Sequence, residues 1–171
     1  MNGVNYQFDN LNRRTEADLA DGTKWNYGYD NRSQVTSGKR GLASGAYAGG
    51  EQFEYNYDDI GNRTSTKAGG DASGANLRQA SYSANSLNQY TNRDVPGSVW
   101  MVGEAPTNLT LQGVGASKPF TIQRQDGQRF FGEVAVSNAQ SSVFARITVA
   151  GKTNGALNDV ETGHKRVSPH Y

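Results

Sequence analysis

Tyr55 to Thr64 reads YNYDDIGNRT. Two tyrosines spaced by one residue fall on one face of an extended strand. The aspartate that follows starts a turn, because its short carboxylate accepts bonds from backbone N–H groups two residues on. Gly61 suits a left-handed turn position. Arg63 and Thr64 then begin a returning strand. The string spells strand, tight turn, strand.

The same hairpin recurs along the chain. Residues 6–15 read YQFDNLNRRT, residues 27–36 read YGYDNRSQVT, and residues 82–91 read YSANSLNQYT. Starts at 6, 27, 55 and 82 give spacings of 21, 28 and 27. A period in that range marks a stacked-repeat architecture. The fourth copy has lost its second aromatic and its aspartate. The repeat residues expected to carry the fold are Tyr6, Phe8 and Asp9, then Tyr27, Tyr29 and Asp30, then Tyr55, Tyr57, Asp58, Gly61, Arg63 and Thr64. Trp25 and Phe53 join the rings as packing residues, and Asn12 and Asn88 stand where Gly61 stands.

Between these motifs, Asp21-Gly22 precedes a strand reading TKWNYGY, and EQFEYNY alternates aromatic with polar residues over 51–57. Residues 38–50 and 67–76 are rich in Gly, Ala and Ser and read as surface insertions between strands, where added length costs little. The pattern stops at Pro96-Gly97. Residues 98–151 carry a second β signature, with short strands at 99–102 and 109–111. A hairpin is built on Asp126-Gly127, and Val143, Ala145, Ile147 and Val149 alternate along a last strand. That region reads as an antiparallel sheet or sandwich of roughly five strands. Residues 152–171 show no sustained periodicity and read as a mobile tail.

Composition narrows the function classes. The chain has 171 residues, a net charge of +1, 21 glycines, nine tyrosines and no cysteine. Near-neutral charge gives no global field toward nucleic acid or an anionic membrane. The absence of cysteine excludes disulfides and thiolate chemistry. No apolar run approaches a membrane span, and the first residues do not read as a signal peptide. Met1 lies just before the first motif, so the chain reads as a piece of a longer repeat protein.

The YxYDxxGNRT form resembles the YD repeats of the Rhs family, which also occur in teneurins and in the cocoon-forming subunits of insecticidal toxin complexes. The resemblance covers about residues 4–97, and 99–151 is similar to a β insert that follows such repeats in some members. It implies β-hairpin strips that spiral into a hollow shell, enclosing a toxic C-terminal domain or presenting a surface for adhesion. It implies neighbouring repeats of a parent chain as partners, carbohydrate or a partner protein as further candidates, and an extracellular or cell-surface location. Members that release a toxin carry a DPxG-type motif at the end of the core. The nearest string here, Asp94 in DVPG, does not match, so no autoproteolytic residues carry over.

Candidate chemistry is sparse. Asp30 and Asp58-Asp59 supply too few oxygens per turn for a calcium loop and read as turn formers. Trp25 and Tyr29 are the aromatics best placed to face a sugar, against the competing role of strand packing. Arg13, Arg14, Arg32, Arg63 and Arg93 read as partners for nearby aspartates rather than as a phosphate grip. His164 and His170 fall in the expected tail, which cannot frame a catalytic triad. The expectation is a non-enzymatic β scaffold without cofactor or metal. A carbohydrate- or protein-binding module is the alternative, and an effector beginning after residue 97 is a third reading.

Overall fold

The computed structural model describes residues 3–168. Every regular element among them is a strand, so the chain is all-β as its turns and aromatics require. Contacts divide it into two units, one ending at Thr91 and the other starting at Asn92. The division falls inside a strand and earlier than the break expected at Pro96-Gly97.

The first unit is a meander. Its strands are β1 (Asn5–Phe8), β2 (Arg14–Asp18), β3 (Lys24–Tyr29), β4 (Val35–Gly41), β5 (Tyr47–Tyr57), β6 (Arg63–Gly69), β7 (Leu77–Ala84) and β8 (Tyr90–Arg93). They form one eight-stranded sheet in chain order, each hydrogen-bonded to its sequence neighbours. Directly opposed residues share a face, so the register separates two chemistries. One face runs Tyr6, Ala17, Trp25, Arg40, with Tyr27, Gly38, Phe53, Ala68 beside it. The other runs Gln7, Glu16, Asn26, Lys39, Gln52, with Ser37, Glu54, Lys67, Gln79 beside it. This polar face is tied by Lys24–Glu16 at 2.7 Å, Lys39–Glu54 at 2.6 Å and Lys67–Glu54 at 3.6 Å. Such partly exposed, solvent-screened pairs contribute about 0–1 kcal/mol each.

One expectation is corrected here. Residues 38–50 and 67–76 are not insertions. Gly38 to Gly41 complete β4, Tyr47 to Gly50 open β5, and Lys67 to Gly69 complete β6, with short turns between. Their small residues make room for rings: Gly38 is paired with both Tyr27 and Phe53, and a Cβ there would lie 3.8 Å from Tyr27 Cδ1. The rings themselves are only partly covered. Tyr6 is 46% and Phe8 56% exposed, and Trp25, Tyr27, Tyr29, Phe53, Tyr55 and Tyr57 are half-buried. A single sheet has no second layer to cover them. They gain burial by lying flat on one another and on the strands.

The second unit has two sheets. β10 (Thr110–Gly115), β11 (Lys118–Phe120), β14 (Val143–Thr153) and β15 (Ala156–Val167) make one, in the order β11-β10-β14-β15. β9 (Ser98–Glu104), β12 (Ile122–Gln125) and β13 (Arg129–Ala135) make the other, in the order β12-β13-β9. The Asp126-Gly127 hairpin forms as expected, with φ of 43° and 79° at its two turn residues. Val134, Val136, Ala145, Ile147 and Val167 are the buried centre, with Phe120, Val99 and Met101 packed against it. Buried Asn138 donates to Val95 O at 3.0 Å and Ser168 O at 2.7 Å. Arg124 holds the 105–109 segment by donating to Ala105 O, Pro106 O and Leu109 O at 2.7–2.9 Å.

The mobile tail is also corrected. Lys152 and Thr153 end β14, and Ala156 to Val167 form β15, paired along its whole length with β14. Residues 169–171, His170 among them, lie outside the described residues.

Candidate functional site

The repeat motif converges on the row of turns along one end of the first unit's sheet. Each turn closes the same way. The N–H of the first residue reaches the carbonyl four residues on, and the N–H of the fourth reaches back to the first carbonyl. The pairs are Asp9 with Arg13 and Asn12, Asp30 with Gln34 and Ser33, Asp58 with Asn62 and Gly61, and Asn85 with Gln89 and Asn88. The fourth residue is left-handed in every case, with φ of 57°, 64°, 93° and 59°. This is a type I turn followed by a left-handed residue, and a bulge precedes the turn in the first three units, between Gln7 and Phe8, Gly28 and Tyr29, and Asn56 and Tyr57. The turns at the opposite end follow the same scheme from Leu19, Leu42 and Asp71.

The carboxylate of each motif aspartate is spent inside its own turn. Asp9 Oδ1 accepts from the N–H of Leu11 and of Arg13, both at 2.9 Å. Asp30 Oδ1 accepts from Arg32 and Gln34 at 2.9 Å, and Asp58 Oδ1 from Ile60 at 3.1 Å and Asn62 at 2.8 Å. Asn85 reproduces the arrangement without a charge. The N–H of Arg13 and its guanidinium hold Asp9 below the usual carboxylate range. The side chain of Asn62, with backbone N–H groups, does the same for Asp58. Ser73, then Asn76 and the turn backbone, bring Asp71 to about 2.

The side chains between turns tie each hairpin to the next. Arg13, paired with Asp9 at 2.6 Å, donates to Asp30 O at 3.0 Å and lies 4.9 Å from the centre of the Tyr29 ring. Arg32 donates to Asp58 O at 3.3 Å and to Asp59 O, and pairs with the Asp59 carboxylate at 3.2 Å. Asn62 Nδ2 donates to Asn88 Oδ1 at 3.3 Å. Phenols form a second row of ties. Tyr29 Oη donates to Arg14 O at 2.7 Å, and Tyr57 Oη to Val35 O at 3.0 Å. Arg14 and Val35 hold the ninth place of their motifs. In the fourth unit the third place is Ala84, yet the row continues: Arg63 N–H donates to Tyr90 Oη at 2.9 Å. The tyrosine has moved from the third place to the ninth, which oppose each other across the strand pair in the other three units.

The remaining motif residues divide between the ring face and the sheet. Arg14 lies 3.9 Å above the Tyr6 ring and Arg63 4.7 Å above Tyr55, and burial pushes the Tyr55 phenol up. Trp25 stacks on Tyr27 at 6.5 Å and on Phe53 at 6.1 Å, with ring planes within 24°. Of the two aromatics expected to face a ligand, Tyr29 is engaged at both ring and hydroxyl, and Trp25 shares its faces with two rings. Thr64 is an exposed residue of β6. Arginine pairing with aspartate is found for Arg13 and Arg32.

Some residues that hold the unit gave little sign in the sequence. Arg40 donates to Thr23 Oγ1 at 2.9 Å and Glu51 Oε1 at 2.6 Å, and pairs with Asp21. Gln52 is fully buried and donates to Asp71 O at 2.7 Å.

No protein-family model matches the chain, and no curated protein matches it. Among solved structures, it is similar to a chain of the Tc holotoxin pore of Photorhabdus luminescens, with a TM-score of 0.48 and 10% identity over 94% of this chain and 7% of that one. It is also similar to a chain of a TcdB2-TccC3-Cdc42 complex, with a TM-score of 0.47 and 11% identity over 98% of this chain. The chain spans 7% of either neighbour's length.

Proposed function

We propose that this chain is a structural segment of an Rhs/YD-repeat protein, supplying β-hairpin strips to a larger shell or surface scaffold, without enzymatic activity. The observation that supports it is the tie between successive turns. Arg13, Arg32 and Asn62 each bond the turn of the following hairpin, so the motif carries the information for adding another hairpin beside it. The aspartates, which are its most reactive-looking groups, are consumed by backbone N–H groups. In this reading the parent protein works in toxin delivery or intercellular competition at the cell surface or outside the cell, and the partners are neighbouring repeats.

Hydrogen exchange on the full chain tests the scaffold reading. Repeat sheets gain stability from each neighbour added, so protection should be continuous from β2 to β7 and weakest in β1 and β8. Protection confined to residues 92–168 would overturn the reading of a self-supporting strip. A second reading is favoured by one feature, the half-buried ladder of Trp25, Tyr27 and Phe53, whose flat rings suit the apolar face of a sugar. Retention on a glycan array that is lost in Trp25→Ala would shift the work of this unit from scaffolding to carbohydrate binding.

A further inference from the structure

β15 ends the four-stranded sheet of the second unit, and among the described residues its outer edge has no strand beside it. Residues 156–166 of this strand are exposed, and only Val167 is buried. The register explains why. Core-facing Ala145, Ile147, Val149 and Gly151 of β14 stand opposite Lys165, Gly163, Glu161 and Asp159. The inward face of β15 is therefore charged or bare where that of β14 is apolar. The facing sheet has three strands against four.

Charged residues on an edge strand ordinarily keep other strands away. Here they are sorted by sign. Asp159 and Glu161 lie in the first half of β15, and His164, Lys165 and Arg166 in the second. A parallel partner of the same sequence would set like charge against like. An antiparallel copy does the opposite. With Thr162 opposite its own counterpart, Asp159 faces Lys165 twice and Val160 faces His164 twice. Opposite charges and Thr–Thr pairs are both favourable cross-strand neighbours.

We infer that β15 is a self-association edge. Two copies of this chain pair antiparallel through β15 about a two-fold axis at Thr162, joining their four-stranded sheets into one. The contact is isologous, so it closes as a dimer and does not propagate.

The absence of cysteine in the chain makes the test clean. Directly opposed strand residues lie about 4.5–5.5 Å apart between Cα atoms, within disulfide range. Thr162→Cys should oxidise to a covalent dimer. Val160→Cys alone should not, but should cross-link in a mixture with His164→Cys. Sedimentation of the full chain then probes the charges. Asp159→Lys/Glu161→Lys and Lys165→Glu/Arg166→Glu should each weaken the dimer roughly tenfold or more, and mixing the two should restore it. The mixture also serves as the folding control, since unfolded variants would not rescue each other. A monomer at high concentration, a dimer indifferent to the charge reversals, or a Thr162→Cys chain that stays monomeric under oxidation would each overturn the proposal. In the second case another edge, or a different partner class, would be the occupant.

Discussion

Tyr57 donates its phenol to Val35 O at 3.0 Å, across the boundary between one hairpin and the one before. Removing only that hydroxyl isolates the tie from the ring. Tyr57→Phe should destabilise the sheet by about 1 kcal/mol, the usual net value of one such bond, seen as a lower urea midpoint with unchanged slope. An unaltered midpoint would mean water replaces the bond at no cost. The turn aspartates act through charge as well as geometry. The folded pKa of Asp71 is about 2 against an ordinary 3.8, so it binds its proton less readily when folded. Its contribution is complete above the unfolded value and is lost as pH falls from about 4 toward 2. Asp9 and Asp58 shift in the same direction. Acid titration of the folded chain should therefore show stability falling across that window. Asp71→Asn, which keeps the acceptor oxygen but cannot titrate there, should flatten the part belonging to this turn. A wild-type and a variant profile that superimpose would remove Asp71 from the account. Asp9 and Asp58 were legible in the sequence, since Asp at fixed offsets in a repeated motif has few other uses, whereas Asp71 lay in a stretch read as an insertion. The phenol ties were not legible. The spacing of Tyr29 and Tyr57 says which face they share, but nothing about which carbonyl lies within reach.

At the scale of the hairpin, the left-handed fourth residue of the turn sets the geometry. Gly61 has φ of 93°, and a Cβ there would come within 3.1 Å of Gln34 Nε2 in the adjoining hairpin. Gly61→Ala should cost about 1–2 kcal/mol from the left-handed backbone alone, measured by thermal unfolding. A change below a few tenths would show that the turn can relax. Asn12, Ser33 and Asn88 already occupy that place in the other units, at φ near 60°, so the more extended φ of Gly61 is the part that a side chain resists. Stretches whose two faces differ were read from sequence: residues 51–57 of β5 and Val143 to Val149 of β14 each alternate. The errors fell where alternation fails. Residues 38–41 looked like a loop because their small residues serve rings on neighbouring strands. β15 looked like a tail because neither of its faces is apolar.

Taken as whole units, the two parts of the chain solve the problem of burial differently. The second unit seals Val134, Ala145 and Ile147 between two sheets. The first has one sheet, gathers most of its rings on one side and its Lys–Glu pairs on the other, and buries mostly small or polar residues such as Ala17, Ala80 and Gln52. Its all-β class and hairpin order were readable from motif spacing. The exposure of Tyr6 and Phe8 was not, because a periodic pattern reports which residues share a face and is silent on whether anything covers it.

The meander order has a mechanical meaning. β1 and β8 are the two outer strands of the eight-stranded sheet, and every join between strands is a short turn. Tension applied to the two ends of this sheet would draw its outer strands away sideways, loading the rungs between strands one after another instead of all together. Such a strip yields at low force and in steps, shedding a hairpin at a time, and can re-form in the same order when the tension is released.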